Sequence, residues 1–446
     1  MTKTRKHLSF TGLTKSLRES FSKIEVKERK VNPSGVASSP NNKIPLSDFL
    51  MAGYAIFSLK YESLLRFDND SRGGDPNLME NLKSVFGIAH PPSDTRLRER
   101  LDDVDPRNLD VAFKDLFAQV QRGKGLEGME SYRGDYLVSL DGTGVFASSK
   151  IRCENCMIKN EGKESESYYH QDFCAVLVKP GCKTVLPLGS EAIVKSDGMK
   201  KNDCEFNAAK RLIPRLRTQH PHLAMCLVLD GLHSKAPILK LCDENNFRYI
   251  IVAKDKDHKH LLSQFNDSSL CAVQSYTEMD EKISKEYRFV DGLELNESNP
   301  EIKVNVLEYT ETKEDKIFRR FVWITNYPLI KNNVAKITDM GRARWKVENE
   351  TFNTLKNLGY NYEHNFGHGN KNLSVVFSVL MLLAFAVDQA LERCCHVFKA
   401  AREKAATKQN LWRKIRSLLE YVIVASMEEI YQIIIGNTRL KPIDTG

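Results

Sequence analysis

Two short apolar runs, each closed by Asp-Gly, constrain this chain more than any other feature. "YLVSLDGTG" spans residues 136–144 and "MCLVLDGL" spans 225–232. Both are rich in Leu and Val, the composition of a buried β-strand bounded by glycine. A carboxylate at the end of a core strand is costly unless a partner, a proton or a cation meets it. Asp141 and Asp230 therefore point to a fold in which two strands deliver one acid each to a common place. The adjacent glycines leave room for a phosphate backbone to approach. The plainer reading is two strands that simply end in Asp-Gly turns.

The elements around these runs give an order. Strand 136–141 is followed by "DFCAVLVKPGCKTVLPL", two strands joined by a Pro-Gly turn. A helix follows, "NDCEFNAAKRLIPRLRTQ", with Asn202 or Asp203 available as its cap. Strand 225–230, helix "KAPILKLCDENN" and strand "FRYIIVAK" complete a βββαβαβ series. That is the order of an RNase H-like core, so the expected class is α/β. It comprises residues 135–255 and is completed by a helix within 331–370. Between them, 256–330 alternates polar and apolar residues and reads as an inserted antiparallel β-sheet. Helical regions flank the core. Residues 46–130 read as a helical DNA-binding domain and 371–446 as a C-terminal helical region, while 1–45 reads as a basic flexible arm.

With 446 residues the chain is long enough for several domains or one elaborated core. It is 41% hydrophobic and 28% charged, which suits a globular protein. Its net charge of +8 is compatible with a polyanionic partner. Ten cysteines scattered through apolar runs read as reduced thiols, and the N-terminus lacks the apolar stretch of a secretory signal. "LSVVFSVLMLLAFAVDQAL" (373–391) reads as a buried core helix, because Asp388 cuts its uncharged part short of a membrane span.

A third acid lies in "DMGRARWKVENETFNTLKN". Glu348 shares one helical face with Arg344, Phe352 and Leu355. Glu350, the other candidate, would point roughly 200° away at about 100° per residue. Three converging carboxylates can hold two divalent cations for phosphoryl transfer. The stretches "SLDGTG", "LVLDGLHSKAPIL" and "RARWKVENETFNTLKN" resemble those of bacterial insertion-sequence transposases of the DDE class. The resemblance implies that Asp141, Asp230 and Glu348 are the catalytic, metal-binding triad, working with Mg²⁺ or Mn²⁺. It places Arg344 on the family's Arg, four before the Glu. The family's Tyr, seven before the Glu, is replaced by Gly341. Its Lys, seven after, is shifted to Lys356, because Leu355 stands at plus seven. It further implies double-stranded DNA as partner (the element's terminal inverted repeats and target DNA), a homodimer in the DNA complex, no membrane, and a cytoplasmic, nucleoid-associated location. Two other readings stay open: a standalone RNase H-fold DNA nuclease, and a catalytically inactive DNA-binding descendant.

Four further features complete the reading. Ser93 can cap a short helix presenting Thr95, Arg96, Arg98 and Arg100, a candidate groove reader or a solvated face. Lys200 and Lys201, before a helix, are candidate phosphate contacts. Cys153, Cys156, His170 and Cys174 spell C-x2-C-x13-H-x3-C, a spacing that resembles a Zn²⁺ site. His364 and His368 in "HNFGHG" read as ordinary loop residues.

Overall fold

The computed structural model describes residues 8–31, 44–74, 76–195, 203–267, 269, 272–280, 282–314 and 316–438. Helix α1 (Phe10–Val31) occupies about half of the stretch read as a flexible arm. Leu13, Leu17, Phe21 and Ile24 recur at helical spacing and are all buried, so burial of one face orders it. Within that stretch, 1–7 and 32–43 lie outside the described residues. Helices α2 (Leu46–Ser58), α3 (Leu64–Asp68), α4 (Pro76–Phe86), α5 (Asp94–Asp102) and α6 (Asp110–Arg122) follow. Ser93 caps α5, its Oγ accepting from the Arg96 N–H at 3.4 Å.

Strands β1 (Tyr136–Ser148), β2 (Met157–Lys159), β3 (Ser167–Val178) and β4 (Leu186–Ile193) pair antiparallel, with β1 on one side of β3 and, on the other, the short β2 along its first residues and β4 along the rest. Helix α7 (Glu205–Gln219), β5 (Met225–Leu229), α8 (Ala236–Glu244) and β6 (Arg248–Val252) come next. β5 pairs parallel with β1 (Ser139 opposite Val228) and with β6 (Leu229 opposite Ile251). Every residue of β5 is buried, as a parallel strand covered on both faces requires. Apart from β2, the chain order is therefore βββαβαβ. The helix cap is not as expected: Cys204 is the N-cap of α7, Asp203 instead binds Arg211 at 2.7 Å, and Asn202 lies outside the described residues.

The inserted region is not a sheet of its own. After α9 (Lys259–Asn266), strands β7 (Gln274–Asp280), β8 (Ile283–Glu294), β9 (Lys303–Lys313) and β10 (Lys316–Thr325) form an antiparallel meander. β10 then pairs antiparallel with β6, Ile324 opposite Ile251. Core and insertion thus share one ten-stranded sheet.

Helix α10 (Val334–Arg342) runs on through a 3₁₀ turn at 343–345 and a π turn at 347–352 into α11 (Asn353–Asn357). Helices α12 (Leu373–Cys394), α13 (His396–Ala405), α14 (Lys408–Tyr421) and α15 (Met427–Ile435) end the described chain. α12 is long and apolar enough to cross a membrane, but 94% of its most apolar window is buried inside the fold. Its Asp388 forms a buried ion pair with Lys60 at 2.7 Å.

Candidate functional site: a carboxylate cluster beside the central strands

β1 continues well past Asp141, so this acid is not the corner of a turn. It sits mid-strand, opposite Cys174 of β3. Its Oδ2 accepts from Nη1 of Arg344 at 2.7 Å, and its Oδ1 accepts from the Gly142 N–H at 3.0 Å. The same Nη1 stands 3.4 Å from Oε1 of Glu348. The helical spacing of Arg344 and Glu348 puts both on one face, and the π turn carries that face onto β1. Ser139 of β1 fixes the approach by donating its hydroxyl to the Arg344 carbonyl at 3.0 Å. Phe352 and Leu355, on the same stripe, are buried. Glu350 faces Lys346 instead, at 4.0 Å.

Burial pushes the Asp141 carboxyl up to about 7. Arg344 opposes that shift, while a hydrogen bond and the charge of Glu348 add to it. The Arg344 guanidinium supplies the positive charge that both carboxylates share.

Asp230 follows β5, one strand over. It caps a single 3₁₀ turn at 231–233, accepting from the Leu232 N–H at 3.0 Å and meeting His233 Nδ1 at 2.8 Å. Nζ of Lys254 lies 3.9 Å from its other oxygen. Burial raises its carboxyl, but His233, the Leu232 N–H and Lys254 outweigh that and hold it below the usual range. Asp141 and Glu348 are thus joined through Arg344, and Asp230 stands beside them with its own basic partners.

Glu205, the first residue of α7, is a fourth carboxylate at this place. A Cβ on Gly142 would fall 2.3 Å from its Oε1, so the bare glycine is what admits it. Burial raises its carboxyl, and His233, Asp230 and Arg344 all lie within electrostatic reach. Gly231 plays the same part for Lys254, whose Cε would be 2.9 Å from an added Cβ. The glycines make room for protein side chains rather than for open solvent. From the sequence, Glu205 reads only as an acid suited to a helix start.

Gly341, the position of the family's Tyr, is also explained by packing. A Cβ there would lie 2.7 Å from the Trp323 indole of β10. The space a larger side chain needs is already filled. Lys356 pairs with Glu363 at 2.6 Å.

Of the candidate basic face of α5, Arg100 is turned away from solvent. Leu97 and Leu101 turn inward and take Arg100 with them, where it pairs with Glu28 of α1 at 3.3 Å. Arg98 pairs with Asp94 at 2.6 Å, leaving Arg96 and Thr95 on the exposed side. Lys200 and Lys201 lie outside the described residues.

A second cluster gathers at the far end of β3. Sγ of Cys153 and Cys156, in the β1–β2 loop, are 3.8 Å apart. His170 Nε2 is 3.3 Å from the first and 3.4 Å from the second. His368 Nε2, from the loop before α12, is 3.1 Å from Cys156. Cys174 is not a member. It lies four residues beyond His170 on an extended strand, about 13 Å away, inside the sheet core. His368, read as an ordinary loop residue, takes the fourth place. A hydrogen bond from Cys153 lowers the Cys156 thiol to about 7. The nine cysteines among the described residues are all free thiols.

No family model matches the chain, and no curated protein matches it. Among solved structures it is similar to a piggyBac transposase in a synaptic complex with hairpin DNA, determined by cryo-EM. The similarity covers 97% of this chain and 84% of that one, at 10% identity and a TM-score of 0.41. At that level neither a shared fold nor a shared activity follows.

Proposed function

We propose that this chain is a DNA transposase of the DDE class on an RNase H-like core, with Asp141, Asp230 and Glu348 as its catalytic, metal-binding triad. The observation that carries the reading is the Arg344 guanidinium, which binds Asp141 at 2.7 Å and reaches Glu348 at 3.4 Å beside the strand that delivers Asp230. Acids from two strands and a later helix, held together in this way, supply oxygen donors only. That donor set fits Mg²⁺ or Mn²⁺, which prefer carboxylate and keep water or phosphate in their remaining positions. Two such ions, when bound, stabilise the attacking and leaving oxygens of a phosphoryl displacement.

The chain's own residues prepare the place. Arg344 holds the acid pair against mutual repulsion and offers N–H groups suited to phosphate oxygens. His233 orients Asp230, and Lys254 adds a cation at the same edge. The net charge of +8 favours a polyanionic partner. In this reading the partner is double-stranded DNA at the ends of a mobile element, bridged by a dimer, in the cytoplasm of a bacterium.

The test is cleavage of duplexes carrying the sequences that flank the gene, with Mg²⁺ or Mn²⁺, by wild type and by Asp230→Ala. Cutting at the element boundaries by wild type alone is expected. Equal cutting by both would remove Asp230 from the triad. Binding without cutting by either would leave a DNA-binding protein without catalysis.

A further inference from the structure

We infer that Cys153, Cys156, His170 and His368 form a closed, structural Zn²⁺ site, separate from the carboxylate cluster and independent of the transposase reading. The four donor atoms all lie within 4.8 Å of one another. In a tetrahedron with Zn–S near 2.3 Å and Zn–N near 2.0–2.1 Å, two sulfurs sit about 3.8 Å apart, and sulfur and nitrogen about 3.5 Å. The sulfurs here are 3.8 Å apart, and three sulfur–nitrogen separations are 3.3, 3.4 and 3.1 Å. Both imidazoles turn Nε2 toward the thiols.

The donors select the ion. Two thiols and two imidazoles suit zinc and disfavour the hard cations that the carboxylates would take. Cys156, His170 and His368 are buried and Cys153 is half-buried, so four protein ligands close the site and no position opens to substrate. Without an ion, the two thiols and two ring nitrogens would have only weak sulfur hydrogen bonds to one another, an arrangement with a desolvation cost.

The site joins three distant parts of the chain. Cys153 and Cys156 belong to the loop after β1, the strand that bears Asp141. His170 lies on β3, and His368 on the segment between the Glu348 helix and α12. The neighbouring contacts repeat the same connection. Nδ2 of Asn155 donates to the Lys371 carbonyl at 2.7 Å, and His368 packs on the Phe146 ring at 4.6 Å. The ion would pin the chain leaving the Glu348 helix to the strand that carries Asp141.

The test is the metal content of the full-length chain purified from zinc-supplemented cells, measured by mass spectrometry for wild type, Cys156→Ser, His368→Ala and Asp230→Ala. One zinc per chain is expected in wild type and Asp230→Ala, and loss of zinc in the other two. Should those two fail to fold, wild type stripped by a chelator and titrated with Co²⁺ is expected to show the visible bands of a tetrahedral centre with thiolate charge transfer. Zinc-free wild type without those bands overturns the inference. So does undiminished zinc in both Cys156→Ser and His368→Ala, or a Cys153–Cys156 disulfide in protein purified without oxidant.

Discussion

Nη1 of Arg344 sits 2.7 Å from Oδ2 of Asp141, joining the Glu348 helix to the strand beside β5. Arg344 is nearly buried, so its charge is poorly replaced by water. Arg344→Gln keeps the size and removes the charge. Metal-dependent cleavage is expected to fall about 10²-fold, the scale of losing one preorganised donor to a developing charge. The metal-free variant is expected to lose about 1–3 kcal/mol in urea unfolding, because two acids remain without their cation. Unchanged cleavage and stability would leave Arg344 without a role.

Asp141, pushed up to about 7 mainly by burial, makes a pH prediction. Its folded pKa lies above the unfolded value near 3.9. The stability it contributes is therefore complete below about pH 4 and is lost as pH rises through 7. A bound divalent cation reverses this by favouring the carboxylate. The rise in thermal midpoint on adding Mg²⁺ is expected to grow from pH 6 to pH 8, with proton release on binding at pH 6. A pH-independent midpoint shift would count against cation binding at Asp141.

His220 gives the opposite dependence. Burial lowers it to about 4, with Lys114 and Arg217 adding to the shift, and its ring meets Phe117 edge-on at 4.6 Å. The unfolded chain takes up this proton near 6.5 and the folded chain does not, so stability present above 6.5 is lost as pH falls toward 4. Between pH 7 and 5 the loss is about 1–2 kcal/mol. Urea unfolding of His220→Phe should show a correspondingly smaller drop across that interval.

Lys60 and Asp388 pair at 2.7 Å in the helical core, with Lys60 also over the rings of Tyr360 and Trp412. Removing one partner strands a buried charge, so Asp388→Leu is expected to cost about 3–5 kcal/mol. The double change Lys60→Met with Asp388→Leu should cost clearly less than the sum of the singles. Additive costs in a double-mutant cycle would rule out coupling.

Filling Gly341 tests the packing at Trp323. Gly341→Ala is expected to cost about 1–3 kcal/mol through overpacking against the indole. An unchanged urea midpoint would mean that the indole moves freely.

What could be read from the chain was local. Asp141 and Asp230 announced themselves as acids at apolar runs, and Arg344 and Glu348 as neighbours on one helical face. Glu205 could not be read this way, because its position depends on Gly142 lacking a side chain across a strand–helix contact. His368 lies 212 positions from Cys156, and no periodicity spans that interval. Cys174 looked like a ligand because spacing counts residues, whereas an extended strand converts four residues into about 13 Å. Arg100 looked exposed because a charge usually is, yet the Leu97 and Leu101 stripe decides which way α5 faces. The four inserted strands were legible as alternation for β8, β9 and β10, but their joining to β6 is a tertiary choice.

That joining makes β6 an interior strand. Were the segment between β6 and α10 excised to obtain a minimal core, β6 would become a bare rim with unpaired N–H and C=O groups. Such rims recruit strands from other molecules. The trimmed chain would tend toward edge-to-edge self-association and insolubility, so this segment is no detachable accessory.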